Sequence, residues 1–165
     1  MYRVMELIGM PVLSLDDGKQ IGEVHDLTVD IGKAALCGLI VGAGSWFTEL
    51  RSMVFADIFR MGTDAIMLRD ASCLQPVSSE EQDGCCRAQA LAGKTVYTET
   101  GLYLGTLTDI FLQPLTGELK GYELSDGLIA DFLFGRKAMP LPPAQVVHSN
   151  RLLVPESMAQ LLHGE

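Results

Sequence analysis

The sequence has a single tryptophan, 7% aromatic residues, and only 12 basic side chains against 21 acidic ones. The shortage of positive charge, a net −9, argues against a surface that tracks a phosphate backbone. It equally opposes docking on an anionic leaflet. The G-x-S-x-G and H-E-x-x-H patterns are absent, and the glycine-rich Gly42-Ala43-Gly44-Ser45 lacks the Lys-Ser/Thr of a phosphate loop. The signatures of a serine hydrolase, a zinc protease and a P-loop nucleotide site are therefore missing. The first ten residues, MYRVMELIGM, lack a cationic start followed by a continuous apolar run, so no secretory leader is expected. The longest uncharged stretch, residues 34–48, falls short of the ~20 apolar residues a bilayer crossing needs. With nothing pointing to export, Cys37, Cys73, Cys85 and Cys86 are expected as four thiols in a reducing cytoplasm. What is present is a foldable chain of 165 residues, 48% hydrophobic and 20% charged, long enough for one domain or two small ones.

An internal repeat decides between them. An offset of 83 superposes Gly18 on Gly101, Gly22 on Gly105, Asp26 on Asp109, Leu36 on Leu119 and Gly38 on Gly121. Upstream, an offset of 84 matches Leu7 to Leu91, Gly9 to Gly93 and Val12 to Val96. One residue of slack in the intervening turn explains the change, and eight identities in register mark a duplication. Both copies are mildly acidic, so the charge is general solubility and not a dedicated acidic site. The polar SSEEQDG segment between them reads as a linker. The division is therefore a first domain over 1–78, an acidic linker over 79–88 and a second domain over 89–165.

Short β-branched and aromatic runs bounded by Gly, Pro and Asp give the all-β signature. Strands are predicted near Pro11–Leu15, Ile21–Ile31, Leu36–Val41, Met53–Phe55, Phe59–Met61 and Ala65–Arg69, with hairpin turns at Gly62–Asp64 and Ser149–Asn150. So many short strands in some 70 residues leave edges that closure into a small barrel would remove. A short C-terminal helix capped by Ser157 is expected near the end.

Among candidate site residues, Asp26 and Asp109 are the only acidic identities between the copies. They are expected to accept backbone hydrogen bonds where the long strand bends, since no partner group at a defined spacing supports proton transfer. Gly22, Gly38, Gly105 and Gly121 join them as structural motif positions. His25 aligns with Thr108, and His148 and His163 stand alone. Cys85-Cys86 could bind a soft metal or act as a redox switch, but no second C-x-x-C completes a tetrahedral set. Cys37 and Cys73 are expected to pack as small hydrophobes. Trp46-Phe47 and Phe132…Phe134 occupy corresponding loops of the two copies, trailed by Arg51 and Arg136. Aromatics with Arg dominate protein–protein hot spots, so these loops are either a partner-binding patch or the closure of the barrels.

The repeat resembles the PRC-barrel family, named for the cytoplasmic domain of the photosynthetic reaction-centre H subunit. The matching residues run Gly9…Val12…Asp17-Gly18…Ile21-Gly22-Glu23-Val24-His25-Asp26…Leu36-Cys37-Gly38-Leu39. They recur as Gly93…Val96…Thr100-Gly101…Leu104-Gly105-Thr106-Leu107-Thr108-Asp109…Leu119-Lys120-Gly121-Tyr122. The resemblance implies two tandem small β-barrels, similar to stand-alone two-copy bacterial members. The function expected is that of a non-enzymatic cytoplasmic protein-binding or scaffold protein with an unidentified protein partner. No catalytic residue, metal or cofactor is expected, nor direct nucleic-acid contact or membrane insertion; a homo-oligomer is compatible with the pattern. The family offers two alternatives: a peripheral accessory of a membrane electron-transfer complex, and a ribosome-maturation accessory acting through a protein partner.

Overall fold

A computed structural model describes residues 2–42, 49–77, 84–127, 135–143 and 145–164. The first copy runs through β1 (Tyr2–Arg3), β2 (Pro11–Ser14), β3 (Gln20–Asp30), β4 (Ala35–Gly42), β5 (Arg51–Val54), β6 (Ile58–Met61), β7 (Ile66–Leu68) and β8 (Gln75–Pro76). The second follows with β9 (Cys85–Arg87), β10 (Thr95–Thr98), β11 (Tyr103–Leu112), β12 (Leu119–Ser125), β13 (Lys137–Pro140), β14 (Val146–Val147), β15 (Arg151–Val154) and β16 (His163–Gly164). The chain is all-β, and its two sheets curl into half-barrels. Strand order is β6-β7-β2-β3-β4-β5-β8 in one sheet and β14-β15-β10-β11-β12-β13-β16 in the other. The duplication thus extends to every strand. In both copies the second strand also pairs in parallel with the seventh, β2 with β7 and β10 with β15.

One strand of each copy is exchanged. β1 pairs antiparallel with β11 of the second copy, Arg3 opposite Phe111. β9 pairs with β3 of the first copy, Arg87 opposite Thr28. Residues expected to be linker therefore contribute a strand, because Cys86, Arg87 and Ala88 stand where Tyr2, Arg3 and Val4 stand in the first copy. The turns that follow, a 3-10 helix over Val4–Leu7 and a four-residue helix α1 over Ala88–Leu91, bury Val4, Leu7, Ala88 and Leu91. Those side chains join a single continuous core that runs through both copies.

The long strands also meet tip to tip. Leu36 N–H donates to the Gly117 carbonyl at 2.7 Å, and Leu119 N–H donates to the Ala34 carbonyl at 2.8 Å. Ala34, the counterpart of Gly117, takes a left-handed conformation (φ 53°) to make this reciprocal contact.

The predicted strands and both hairpin turns are present, with ends displaced by a residue or two. The C-terminal helix is a 3-10 helix over Glu156–Leu161. It is preceded by Pro155, with no side-chain cap, so Ser157 is not its capping residue. Proline fixes φ and brings no side-chain acceptor, so the segment starts without the hydroxyl that the sequence suggested.

Candidate functional site

Asp26 and Asp109 sit directly after register shifts in β3 and β11, where His25 and Thr108 are the extra residues. A bulge turns the local backbone and leaves N–H groups off the ladder. Asp109 Oδ1 accepts from Ile110 N–H at 2.8 Å and from Met5 N–H, in the exchanged segment of the first copy, at 2.9 Å. Asp26 Oδ1 does the same for Leu27 N–H (2.8 Å) and Gln89 N–H (3.3 Å). Gln89 Nε2 adds a 2.7 Å bond to the His25 carbonyl. The duplicated aspartates are the catches that hold each exchanged segment to its host strand.

Burial pushes the Asp109 carboxyl above its ordinary value. The hydrogen bonds from Met5 and Ile110 oppose this, and the negative charge of Glu123 adds to it. A raised carboxyl contributes stability that is complete below its ordinary value and is lost as pH rises through the folded value. The ionised form is thus the costly one. Asp109→Asn, which keeps the carbonyl Oδ1 for both N–H donors, is expected to hold near wild-type stability at neutral pH. Asp109→Ala leaves two buried donors unmet and is expected to lose about 1–3 kcal/mol in urea denaturation. Equal losses in the two variants would show that the charge, not the acceptor, makes the catch.

The second copy carries a lock that the first lacks. Glu123, opposite Asp109 on β12, is 2% exposed. It accepts from Arg3 Nε at 2.8 Å, from Arg136 Nη1 at 2.8 Å and from Thr108 Oγ1 at 2.9 Å. Burial alone would raise this carboxyl; the bonds from Arg136 and Thr108 and the charge of Arg3 outweigh it and hold the group below its ordinary range. Arg3 also stacks on Phe111, 5.5 Å from the ring centre. The Glu123 counterpart in the first copy is Ile40, where the first copy has no ionic lock.

The expectation of four thiols is corrected: Cys37 on β4 and Cys85 on β9 form a disulfide, while Cys73 and Cys86 take no part in one. Neither bonded cysteine acts as a small packed hydrophobe. The pairing arises because β9 returns to the first copy's sheet, which brings residues 48 apart in sequence together. Burial pushes the Cys73 thiol up, and Asp57 adds to the shift. Among the described residues no group of three His, Cys, Asp or Glu side chains could hold a metal ion. No described helix is long and apolar enough to cross a membrane.

Trp46, Phe47, Phe132 and Phe134 lie outside the described residues. Arg51 is exposed on β5, and Arg136 is committed to Glu123. Gly22 and Gly105 stand on the long strands, and Gly38 and Gly121 on the strands beside them.

A different aromatic surface is present, and it was missed from sequence. On the outward side of the second sheet, Val146 lies opposite Leu153, Leu153 beside Tyr97, and Tyr97 opposite Tyr103. These four form a stripe across β14, β15, β10 and β11. Val146 and Tyr103 are 55% and 42% exposed. The Tyr97 and Tyr103 rings are 5.3 Å apart, and the Arg151 guanidinium lies 5.8 Å over Tyr97. The hairpin carrying Val146 is anchored from below. Buried Lys94 donates through Nζ to the carbonyls of His148 and Ser149 at 2.6 and 2.7 Å. Tyr122, whose phenol is pushed up by burial, donates to Gln145 Oε1 at 2.8 Å. The equivalent row in the first copy reads Arg60, Met67, Leu13, Gln20, with polar ends. The signal for the stripe was the alternation of Thr95, Tyr97 with Val96, Thr98, which puts Tyr97 on the outer face.

The model of one family, the PRC-barrel domain, matches the chain twice, over residues 1–72 and 87–159. No curated protein matches the sequence.

Proposed function

The chain belongs to the PRC-barrel domain family as two tandem copies, and on that premise we propose that it is a non-enzymatic, cytoplasmic protein-binding or scaffold protein. The observation that carries this is the outward Val146–Leu153–Tyr97–Tyr103 stripe with Arg151 beside it. Tyrosine and arginine are enriched where proteins bind proteins, since each offers large contact area with a polar end. The first copy keeps the same backbone yet places Arg60 and Gln20 at the ends of its row, so barrel packing does not demand the aromatic version. The buried carboxylates, by contrast, are occupied in holding the copies together.

The test is a paired substitution, Tyr103→Glu with Val146→Glu, in the full chain. Both side chains are exposed, so the thermal midpoint is expected to stay within a few degrees of wild type. Quantitative affinity capture with the wild type is expected to enrich a defined protein at least tenfold over the variant. Identical capture by the two forms would sink the assignment.

A further inference from the structure

We propose that the Cys37–Cys85 bond is a reversible redox latch: it fixes the exchanged strand β9 on the first copy's sheet, so the thiol–disulfide balance sets how tightly the two copies are clasped. The bond straddles β3, which pairs with β4 on one edge and with β9 on the other. Cys85 lies opposite Asp30, at the point where the incoming chain first joins the sheet. Four residues further on, Gln89 delivers its N–H to Asp26. The covalent tie thus sits at the entry to the segment that forms half of the inter-copy clasp.

Two features separate a latch from a buried staple. Both bonded cysteines are half-buried and not sealed in the core, and exposed disulfides are the ones more open to thiol exchange. The segment also has attachments that do not depend on the bond: three residue pairs with β3, the Asp26 catch, and the buried Ala88 and Leu91. Opening the bond loosens β9 without removing the core it leads into. The pseudo-equivalent positions in the other half have no pair of thiols, because in sequence Lys120 stands for Cys37 and Met1, whose thioether forms no disulfide, stands for Cys85. There the exchanged strand is held by Glu123 with Arg3 and Arg136. One half of the clasp answers to redox state, and the other does not.

The reductant is a dithiol. Its thiolate attacks one sulfur of the bond, forming a mixed disulfide and releasing the other cysteine as a thiolate, which takes up a proton. The second thiol of the reductant then displaces the remaining cysteine. Two electrons pass to the protein, which ends with two thiols, and the reductant leaves as a cyclic disulfide. A small-molecule disulfide such as oxidised glutathione reverses the exchange.

The full chain is equilibrated with oxidised glutathione or with dithiothreitol and alkylated after denaturation. Mass spectrometry is expected to count two labels, on Cys73 and Cys86, in the first state and four in the second. Native hydrogen exchange of amides 85–91 is expected to accelerate at least tenfold on reduction and to recover on reoxidation, with 151–154 unchanged. Cys37→Ser should resemble the reduced protein in its exchange without reductant, and Cys86→Ser should exchange as wild type in both states, with one label when oxidised and three when reduced. If Cys37→Ser fails to fold, the reduced wild type supplies the same comparison. Three results overturn the latch: four labels in the oxidised state, exchange of 85–91 indifferent to reduction, or acceleration of every segment together, which would mark a staple for the whole fold. Three labels in oxidised Cys86→Ser, where the Cys37–Cys85 bond leaves Cys73 alone to be labelled, would also overturn it, by moving the bond to Cys86.

Discussion

Replacing Arg3 and Arg136 together with alanine is expected to cost about 3–5 kcal/mol of folding stability near neutral pH. The two side chains are 39% and 51% exposed, whereas Glu123 is 3% exposed. Removing the cations therefore strands a carboxylate with no water to solvate it, leaving Thr108 as its described side-chain donor. Removing the anion instead leaves two arginines that can turn to solvent, so Glu123→Gln should lose clearly less. Added to the double-alanine background, Glu123→Gln should restore part of the loss. The pH dependence separates this mechanism from simple loss of side-chain packing. In the wild type Glu123 is held below its ordinary value of 4.5, so its contribution is complete above that pH and drains away as pH falls through the folded value. Without the arginines, burial is left as the leading influence and the carboxyl moves up. The sign reverses, and stability is then lost as pH rises. The gap between wild type and double variant should thus narrow on acidification. Urea denaturation near pH 7 and pH 4 measures it; a gap that stays constant would mean that the arginines act through packing alone.

The second large effect is expected from Gly38→Ala. A Cβ built at Gly38 would fall on the Met53 carbonyl oxygen, with Met53 C at 3.0 Å and Val54 Cα at 3.1 Å. All three are backbone atoms of β5, the strand paired with β4 there. No side chain can rotate out of the way, and relief requires prising the two strands apart. Overpacking of this kind is expected to cost about 3 kcal/mol, the upper part of its usual range. Gly121 in the second copy faces the Met139 carbonyl in the same way, so Gly121→Ala should be equally severe. The control is Gly32→Ala, an exposed position where the nearest atom is Asp30 Oδ1 at 3.5 Å. It should stay within about 0.5 kcal/mol. Thermal denaturation of the three variants decides the matter, and a mild Gly38→Ala would mean that the sheet can open locally at no great cost.

These glycines show why the fold was legible in the sequence. Gly38 and Gly121 recur because backbone approaches backbone there, and Asp26 and Asp109 recur because each bulge needs an acceptor. A repeat of such positions reports strand geometry directly. It does not report which copy supplies the partner, so the donors to the two aspartates, Gln89 and Met5, could not be read off. The exchange of β1 and β9 was hidden for the same reason: a swapped strand has the same sequence as an unswapped one. The disulfide followed from that exchange and was invisible without it. Glu123 carried no signal because its counterpart is Ile40, and an unrepeated acid in an apolar strand looks like any surface charge. The outward stripe is spread over four strands, and only their register brings Val146 and Tyr103 into one row.

Strand exchange also sets an order of events during synthesis. Met5 bonds to Asp109, 104 residues later in the chain. At about 5–20 residues per second, the first strand leaves the ribosome some 5–20 s before its host strand exists. The first copy, meanwhile, lacks β9 until the second begins to emerge. Neither barrel can be completed ahead of the other, so the nascent N-terminal half must wait with its apolar edge uncovered, and final closure is a single late step shared by the whole polypeptide.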